Sequence, residues 1–190
     1  MLTQIAALLV DVVTSFVVYT LLIRFLFQWL RVPFRNPIGE FVMAVSNWMV
    51  VPARRVIPSL LGLDLACLLP AWLAQGLALW ALYAIAGLSF SSSPDIGAAI
   101  LAALSLIDLV RFSLYLFVFA LIVQAVLSWV SPYSPVQPLF DAFTRPFLRP
   151  IRRFVPPLGN VDLSPLVAIV MIQVLLIPLA ELRKMAGGLF

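Results

Sequence analysis

The chain has 190 residues, of which 64% are hydrophobic and 11% charged, and its mean hydropathy is +1.12. Soluble domains are nearer half apolar and a quarter charged, so this composition is that of an integral membrane protein. There is no histidine and one cysteine, Cys67, which excludes zinc HExxH sites, CxxC redox pairs, haem attachment, Ser-His-Asp triads and any internal disulfide. A net charge of +4 in so apolar a chain concerns topology and lipid headgroups; nucleic acid is not an expected partner.

The first apolar run, residues 5–30, carries only Asp11 and Arg24. It exceeds the roughly 20 residues that cross a bilayer. No basic segment precedes it and no small-residue cleavage site follows, so it reads as a span and not a signal peptide. Ile38, Phe41, Val42, Val45, Trp48 and Met49 then recur at helical spacing, with Glu40, Ala44 and Asn47 opposite. That pattern predicts an amphipathic helix lying in the interface. The second span is expected at 63–88, with Pro70 as a kink near its start. Residues 89–94 read as a loop, and 97–106 as a short surface helix or an early start to the third span, 105–130. Residues 139–148 repeat the amphipathic pattern more weakly, and Pro146 is expected to break it. The fourth span is expected at 163–182, with Pro178 near its end.

Basic residues set the orientation. The first connection holds Arg31, Arg35, Arg54 and Arg55, and the third holds Arg145, Arg149, Arg152 and Arg153. The opposite side holds only Arg111, Arg183 and Lys184. The positive-inside rule then predicts both Arg-rich connections in the cytoplasm and both termini outside.

The sequence repeats itself. Over residues 37–75 an offset of 98 aligns Pro52 with Pro150, Arg54 with Arg152, Arg55 with Arg153, Asp64 with Asp162 and Gln75 with Gln173. Upstream the offset is 100, aligning Leu21 with Leu121 and Trp29 with Trp129. The shared core, P-x-R-R-x-[IV]-P-x5-D-L, occurs at 52–65 and again at 150–163. Each repeat has two spans, so both copies point the same way and their pseudo-two-fold axis is expected along the membrane normal. The fold expected is an all-α membrane protein of one domain, 1–190. Its four transmembrane helices form two tandem parallel repeats, 1–90 and 98–190, each with an amphipathic interfacial segment.

These residues resemble the YggT family (also called YlmG), small bacterial and plastid membrane proteins with a duplicated unit. The resemblance rests on the Trp after the first helix of each unit, the P-x-R-R-x-[IV]-P box, and the Asp-Leu that opens the second helix. The second unit has the fuller form, Asp162-Leu163-Ser164-Pro165, whereas the first reads Asp64-Leu65-Ala66-Cys67. The resemblance implies a multi-pass protein of the bacterial inner membrane. It also implies links to osmotic-stress tolerance, to cell division, and in plastids to cytochrome assembly and nucleoid distribution.

Asp64 and Asp162 each stand where a span begins, which suits a helix N-cap. Each can also pair with the Arg-Arg dipeptide nine or ten residues earlier, Arg54-Arg55 or Arg152-Arg153, and both roles can hold at once. The arginines read either as topology markers on anionic lipid or as a Pro-framed contact for a phosphate or carboxylate. Gln75 and Gln173, eleven residues beyond the aspartates, fall about 16 Å deep. They read as interhelical hydrogen-bonding groups or as polar spots on a solute path, and neither is expected to face lipid. Arg24 is expected to snorkel to the surface, with burial near Asp64 or Asp162 as the alternative. Cys67 and the stripe Ala71, Ala74, Ala78, Ala81 read as packing residues. Asp11 and Arg111, mates at offset 100, are expected at one height, and either they pair across the repeats or Asp11 faces water at a frayed helix end. In the second case Arg111 pairs with Asp108 on its own helix.

No constellation supports catalysis or a cofactor. The expected function is that of a non-enzymatic accessory protein, binding anionic lipid or a protein partner through the Arg-rich boxes. A channel or transporter is the alternative and would require a homo-oligomer.

Overall fold

The computed structural model describes residues 1–58, 64–87, 94–130, 134, 136–154 and 162–187, apart from the side chains of Pro94, Trp129 and Phe154. Among these, six helices follow in order: α1 Leu2–Trp29, α2 Pro37–Val56, α3 Leu65–Ile85, α4 Pro94–Val130, α5 Gln137–Phe154 and α6 Ser164–Gly187. The helices α1, α3, α4 and α6 are long and apolar enough to cross a membrane. The two between them are amphipathic and end on the arginine pairs. The chain is thus an all-helical, multi-pass membrane protein with two like halves.

Local signals set the joints. After Trp29 the backbone of Arg31 adopts a left-handed φ of 55°. Val32 N–H then reaches back to the Phe27 carbonyl at 2.8 Å and closes the helix end. Asn36 starts α2: its Oδ1 accepts from Gly39 N–H at 2.8 Å, and Pro37 supplies a φ already suited to the first helical position.

Packing follows the repeat. α1 lies on α3 and α4 lies on α6, while α3 against α4 joins the halves. The alanine stripe behaves as expected: Ala71 and Ala78 are buried, and Ala71 packs with Val18, Leu21 and Leu22. α5 closes the second half with Phe143, whose ring lies 4.8 Å from Phe117 and 5.8 Å from Phe27.

Four expectations need correction. The repeats do not share one height. Tyr19 of α1 meets Phe112 of α4 with ring centroids 5.0 Å apart, a separation of 93 residues where the repeat offset is 100. Seven residues of helix is about 10 Å of axial stagger. A closed two-fold would also match the α3·α4 joint with an α1·α6 joint, and among the described residues α1 and α6 make no joint of comparable extent. Second, of the two readings of 97–106 the early start to the third span holds and the separate surface helix does not, because α4 runs unbroken for 37 residues. Third, Pro146 does not break α5, which continues through Pro146 and Pro150. The two prolines are four residues apart, so the lost backbone bonds fall on one face. The other side is held by the buried Thr144 and Leu148, and Phe143 packs beside the prolines. Fourth, the apolar face of α2 is divided. Gly39, Val42, Ser46 and Val50 are buried against the protein, whereas Phe41 and Trp48 are exposed.

Gly39 is where α2 and the preceding turn come closest. A Cβ there would stand 2.5 Å from the Phe34 carbonyl oxygen and 2.9 Å from its carbon. Backbone cannot yield as a side-chain tip can. Gly39→Ala should therefore destabilise the protein by about 1–3 kcal/mol, read as a lowered thermal midpoint in detergent. An unchanged midpoint would contradict this close approach.

Candidate functional site

Each half carries the same clasp at its Arg-rich end. Arg54, in the last turn of α2, donates through Nε to Asp64 Oδ2 at 3.1 Å and also through Nη2. Arg152, in the last turn of α5, donates through Nε to Asp162 Oδ2 at 2.9 Å, with Nη2 at 2.8 Å. The other carboxylate oxygen caps the span: Asp64 Oδ1 accepts from Ala66 N–H at 3.2 Å, and Asp162 Oδ1 from Ser164 N–H at 2.9 Å. Each aspartate thus caps its span and pairs with an arginine at once. Only the first arginine of each dipeptide takes part. Arg55 and Arg153 are exposed. The intervening residues 59–63 and 155–161 lie outside the described residues.

The carboxylates are only partly exposed, 14% for Asp64 and 24% for Asp162. Burial alone would raise their pKa, but for Asp64 the Arg54 hydrogen bond and charge outweigh it, with Cys67 and Gln28 adding donors. For Asp162, burial is outweighed by the hydrogen bonds from Ser164 and then by Arg152. Both are held below the usual carboxylate range. Ser164 is fully buried. Cys67, also buried, has its thiol 3.5 Å from Asp64.

A second matched pair locks each first span onto its amphipathic helix. Arg24 is 4% exposed and does not snorkel. Its Nη1 donates to Ser46 Oγ at 2.7 Å and Asn47 Oδ1 at 2.9 Å. Its repeat mate Gln124 accepts from Thr144 Oγ1 and donates to Asp141. Ser46 and Thr144 are themselves mates at offset 98.

Asp108, considered from sequence only as a helix-local partner, is the hub that joins the halves. It is 2% exposed. Arg183 of α6 grips it with Nε 2.7 Å from Oδ1 and Nη2 3.3 Å from Oδ2. Arg111 Nη1 donates to Oδ1 at 3.2 Å, and Gln75 Nε2 of α3 to Oδ2 at 3.2 Å. Three spans therefore meet on one carboxylate. Arg111 is not paired with Asp11, which is exposed. The axial stagger puts those two about 10 Å out of register. Gln173 departs from expectation too. It is exposed on α6, while Gln75 is buried. The hub occurs once because the mates of Asp108, Arg111 and Arg183 are Leu8, Asp11 and Ile85. Asp108 and Arg111 three residues apart inside an apolar run was the signal for it.

The second half also builds two cavities beside α5. Arg145, Arg149 and Arg152 wall a polar one of about 380 Å³. Spacings of four and three set them on one face of the helix. Pro146, Phe147, Pro150 and Ile151 face an apolar groove of about 330 Å³, closed by Met171, Leu175 and neighbours. The mates of Arg145 and Arg149 in the first half are Asn47 and Val51, so the triple-arginine face is unique to the second.

Two outcomes follow. The clasp aspartates titrate low when folded, so their stabilisation is complete above the unfolded value of about 3.9 and is lost as pH falls through the lowered folded value. The thermal midpoint should hold from about pH 7 to 5 and drop below about 4. Asp64→Asn/Asp162→Asn should show a shallower drop, and an equal drop would contradict the clasps. Asp108→Asn should cost on the order of 3 kcal/mol by leaving two arginines unmatched in the bundle. Asp11→Asn should stay within about 0.5 kcal/mol.

Comparison with known proteins agrees with this architecture. The CCB3/YggT family model matches residues 3–85 and 103–182, one segment in each half. "Uncharacterized protein YggT" of Escherichia coli is 32% identical over 183 residues, covering 95% of this chain and 92% of that one. "Uncharacterized protein PA0392" of Pseudomonas aeruginosa is 33% identical over 171 residues, covering 87% and 84%. "Uncharacterized protein in proC 3'region" of Vibrio alginolyticus is 33% identical over 167 residues, covering 87% and 88%. No solved structure matches the chain. With its duplicated Arg–Asp clasp and a match over nearly its whole length, the chain belongs to the CCB3/YggT family.

Proposed function

We propose that this protein is a non-enzymatic accessory protein of the bacterial inner membrane, which holds an anionic phospholipid at its cytoplasmic face and so docks or orders envelope components. The observation that carries this reading is the triple-arginine cavity of α5 beside an apolar groove. Arg145 and Arg149 are exposed, and among the described residues they make no ion pair. They are therefore available to a phosphate, which arginine meets with a fork of donors. The groove offers an acyl chain a sheltered wall of Pro146, Phe147, Met171 and Leu175. Arg55 and Arg153, free of the clasps, add cationic reach on either half.

The positive-inside rule supports a cytoplasmic setting for these arginines and outer positions for both termini. The family resemblance supports a role in osmotic stress, division or envelope assembly. The channel reading drew on the osmotic association and on two glutamines sharing a path. Gln75 is enclosed between α3 and α4 while Gln173 lies on the outer surface of α6, so the two glutamines line no common path within one chain.

Each arginine near an anionic surface contributes about 1 kcal/mol. Arg145→Gln/Arg149→Gln should thus lower binding of cardiolipin- or phosphatidylglycerol-containing nanodisc lipid by roughly thirtyfold. Arg31→Gln/Arg35→Gln, with equal charge loss, should do far less. Equal losses in the two variants would reduce the site to general surface charge. For orientation, single cysteines replacing Arg35 or Asp95 in a Cys67→Ala background can be exposed to an impermeant thiol reagent in spheroplasts. Labelling is expected at 95 and not at 35, and the reverse would invert the topology.

A further inference from the structure

The joint between the two halves leaves its own counterpart open. In that joint, Trp72 Nε1 of α3 donates to the Ala102 carbonyl of α4 at 3.1 Å. Gly76 lies against Ser105, Gln75 bonds to Asp108, and Leu79 packs with Leu104. The repeat assigns each of these residues a mate. On α6 the mates of Trp72, Gln75, Gly76 and Leu79 are Val170, Gln173, Val174 and Ile177. All four are exposed, with Val170 at 54%, Val174 at 59% and Ile177 at 64%. On α1 the mates of Ala102, Ser105 and Asp108 are Leu2, Ile5 and Leu8. They are 84%, 54% and 61% exposed.

We infer that the α6 face of one molecule receives the α1 face of a second copy, reproducing between molecules the joint that α3 and α4 make within one. The contact is head-to-tail and keeps both copies in the same membrane orientation. It propagates as a ring or a row. The axial stagger between halves carries over to the joint between copies. A shared tilt of the spans keeps the assembly in one bilayer, since tilts average about 20° and reach about 40°.

Two polar residues, otherwise stranded, support this occupant over lipid. Gln173 sits about 14 Å into α6, exposed and, among the described residues, without a hydrogen-bond partner. Asp11 is exposed on α1 and, among the described residues, makes no ion pair. The register of the α3·α4 joint, transferred by the repeat, sets Gln173 level with the second copy's Leu8, one turn from its Asp11. Helix side chains lean toward their own N-terminus. In antiparallel helices Gln173 and the second copy's Asp11 therefore lean toward each other. The carboxylate at 108, which Gln75 reaches within the chain, has its between-copy analogue one turn along. The inference is independent of the lipid site on α5.

The test uses two differently tagged full-length chains, co-expressed in a Cys67→Ala background and oxidised in native membranes. One carries Ile5→Cys and the other Val174→Cys, the mates of Ser105 and Gly76. Leu2→Cys with Val170→Cys serves as a second pair should the first disturb folding. A mixed, doubly tagged disulfide dimer is expected, well above that from Leu106→Cys with Val174→Cys, an equally exposed control. Gln173→Leu should weaken association by about threefold, the effect of one interhelical hydrogen bond in a membrane. Mixed dimer no more abundant than in the control for both pairs would overturn the inference. So would a dimer formed by Val174→Cys chains alone, because that is a symmetric contact of α6 with itself.

Discussion

A carboxylate at the mouth of each second span is the constraint on which the rest of the fold depends. A helix entering the bilayer begins with backbone N–H groups that have no partner within the helix, and little water is there to satisfy them. Asp64 and Asp162 meet that need with one oxygen and offer the other to Arg54 or Arg152. The arginine comes from the end of the amphipathic helix. The same contact therefore caps the span, neutralises the carboxylate and fixes how the interfacial helix returns to the membrane. Both halves use it with the same atoms.

Around this shared frame the halves have diverged in what they do with charge. In the first, Arg24 is drawn inward to Ser46 and Asn47. In the second, Gln124 occupies the equivalent place without a charge, and arginine instead lines the exposed face of α5. The hub at Asp108 is also one-sided. It binds α3, α4 and α6 together and leaves α1 attached mainly through α3 and α2, with a smaller contact on α4. An asymmetric knot of this kind is compatible with an axial stagger between halves. A closed two-fold would have required a second copy of it.

Much of the architecture was legible in the sequence because hydropathy and length act locally. The four spans, both amphipathic segments and the duplicated Arg–Asp spacing needed no knowledge of tertiary packing. What was not legible depends on the relation between elements. The repeat offset gives equivalence but not height, so a pair between Asp11 and Arg111 stood beside the Arg111–Asp108 pair as an alternative, although the halves slide by about two turns. The same slide buries Gln75 and leaves Gln173 outside. Arg24 was expected at the surface because the hydroxyl and amide that receive it lie 22 and 23 residues away on another helix. Pro146 was expected to break α5 because a proline's local cost is visible in sequence, while the packing of Phe143, Thr144 and Leu148 that offsets it is not.

Each arginine pair divides its labour, one member clasping its aspartate and the other facing outward. A double-mutant cycle measures this directly, with thermal or denaturant unfolding of Arg152→Gln, Asp162→Asn and the combined variant, alongside the same cycle for Arg153. Partly exposed pairs of this kind couple by about 0.5–1 kcal/mol. Arg152 and Asp162 should show coupling of that size, and Arg153 and Asp162 should be additive. Equal coupling for the two arginines, or none for Arg152, would contradict it.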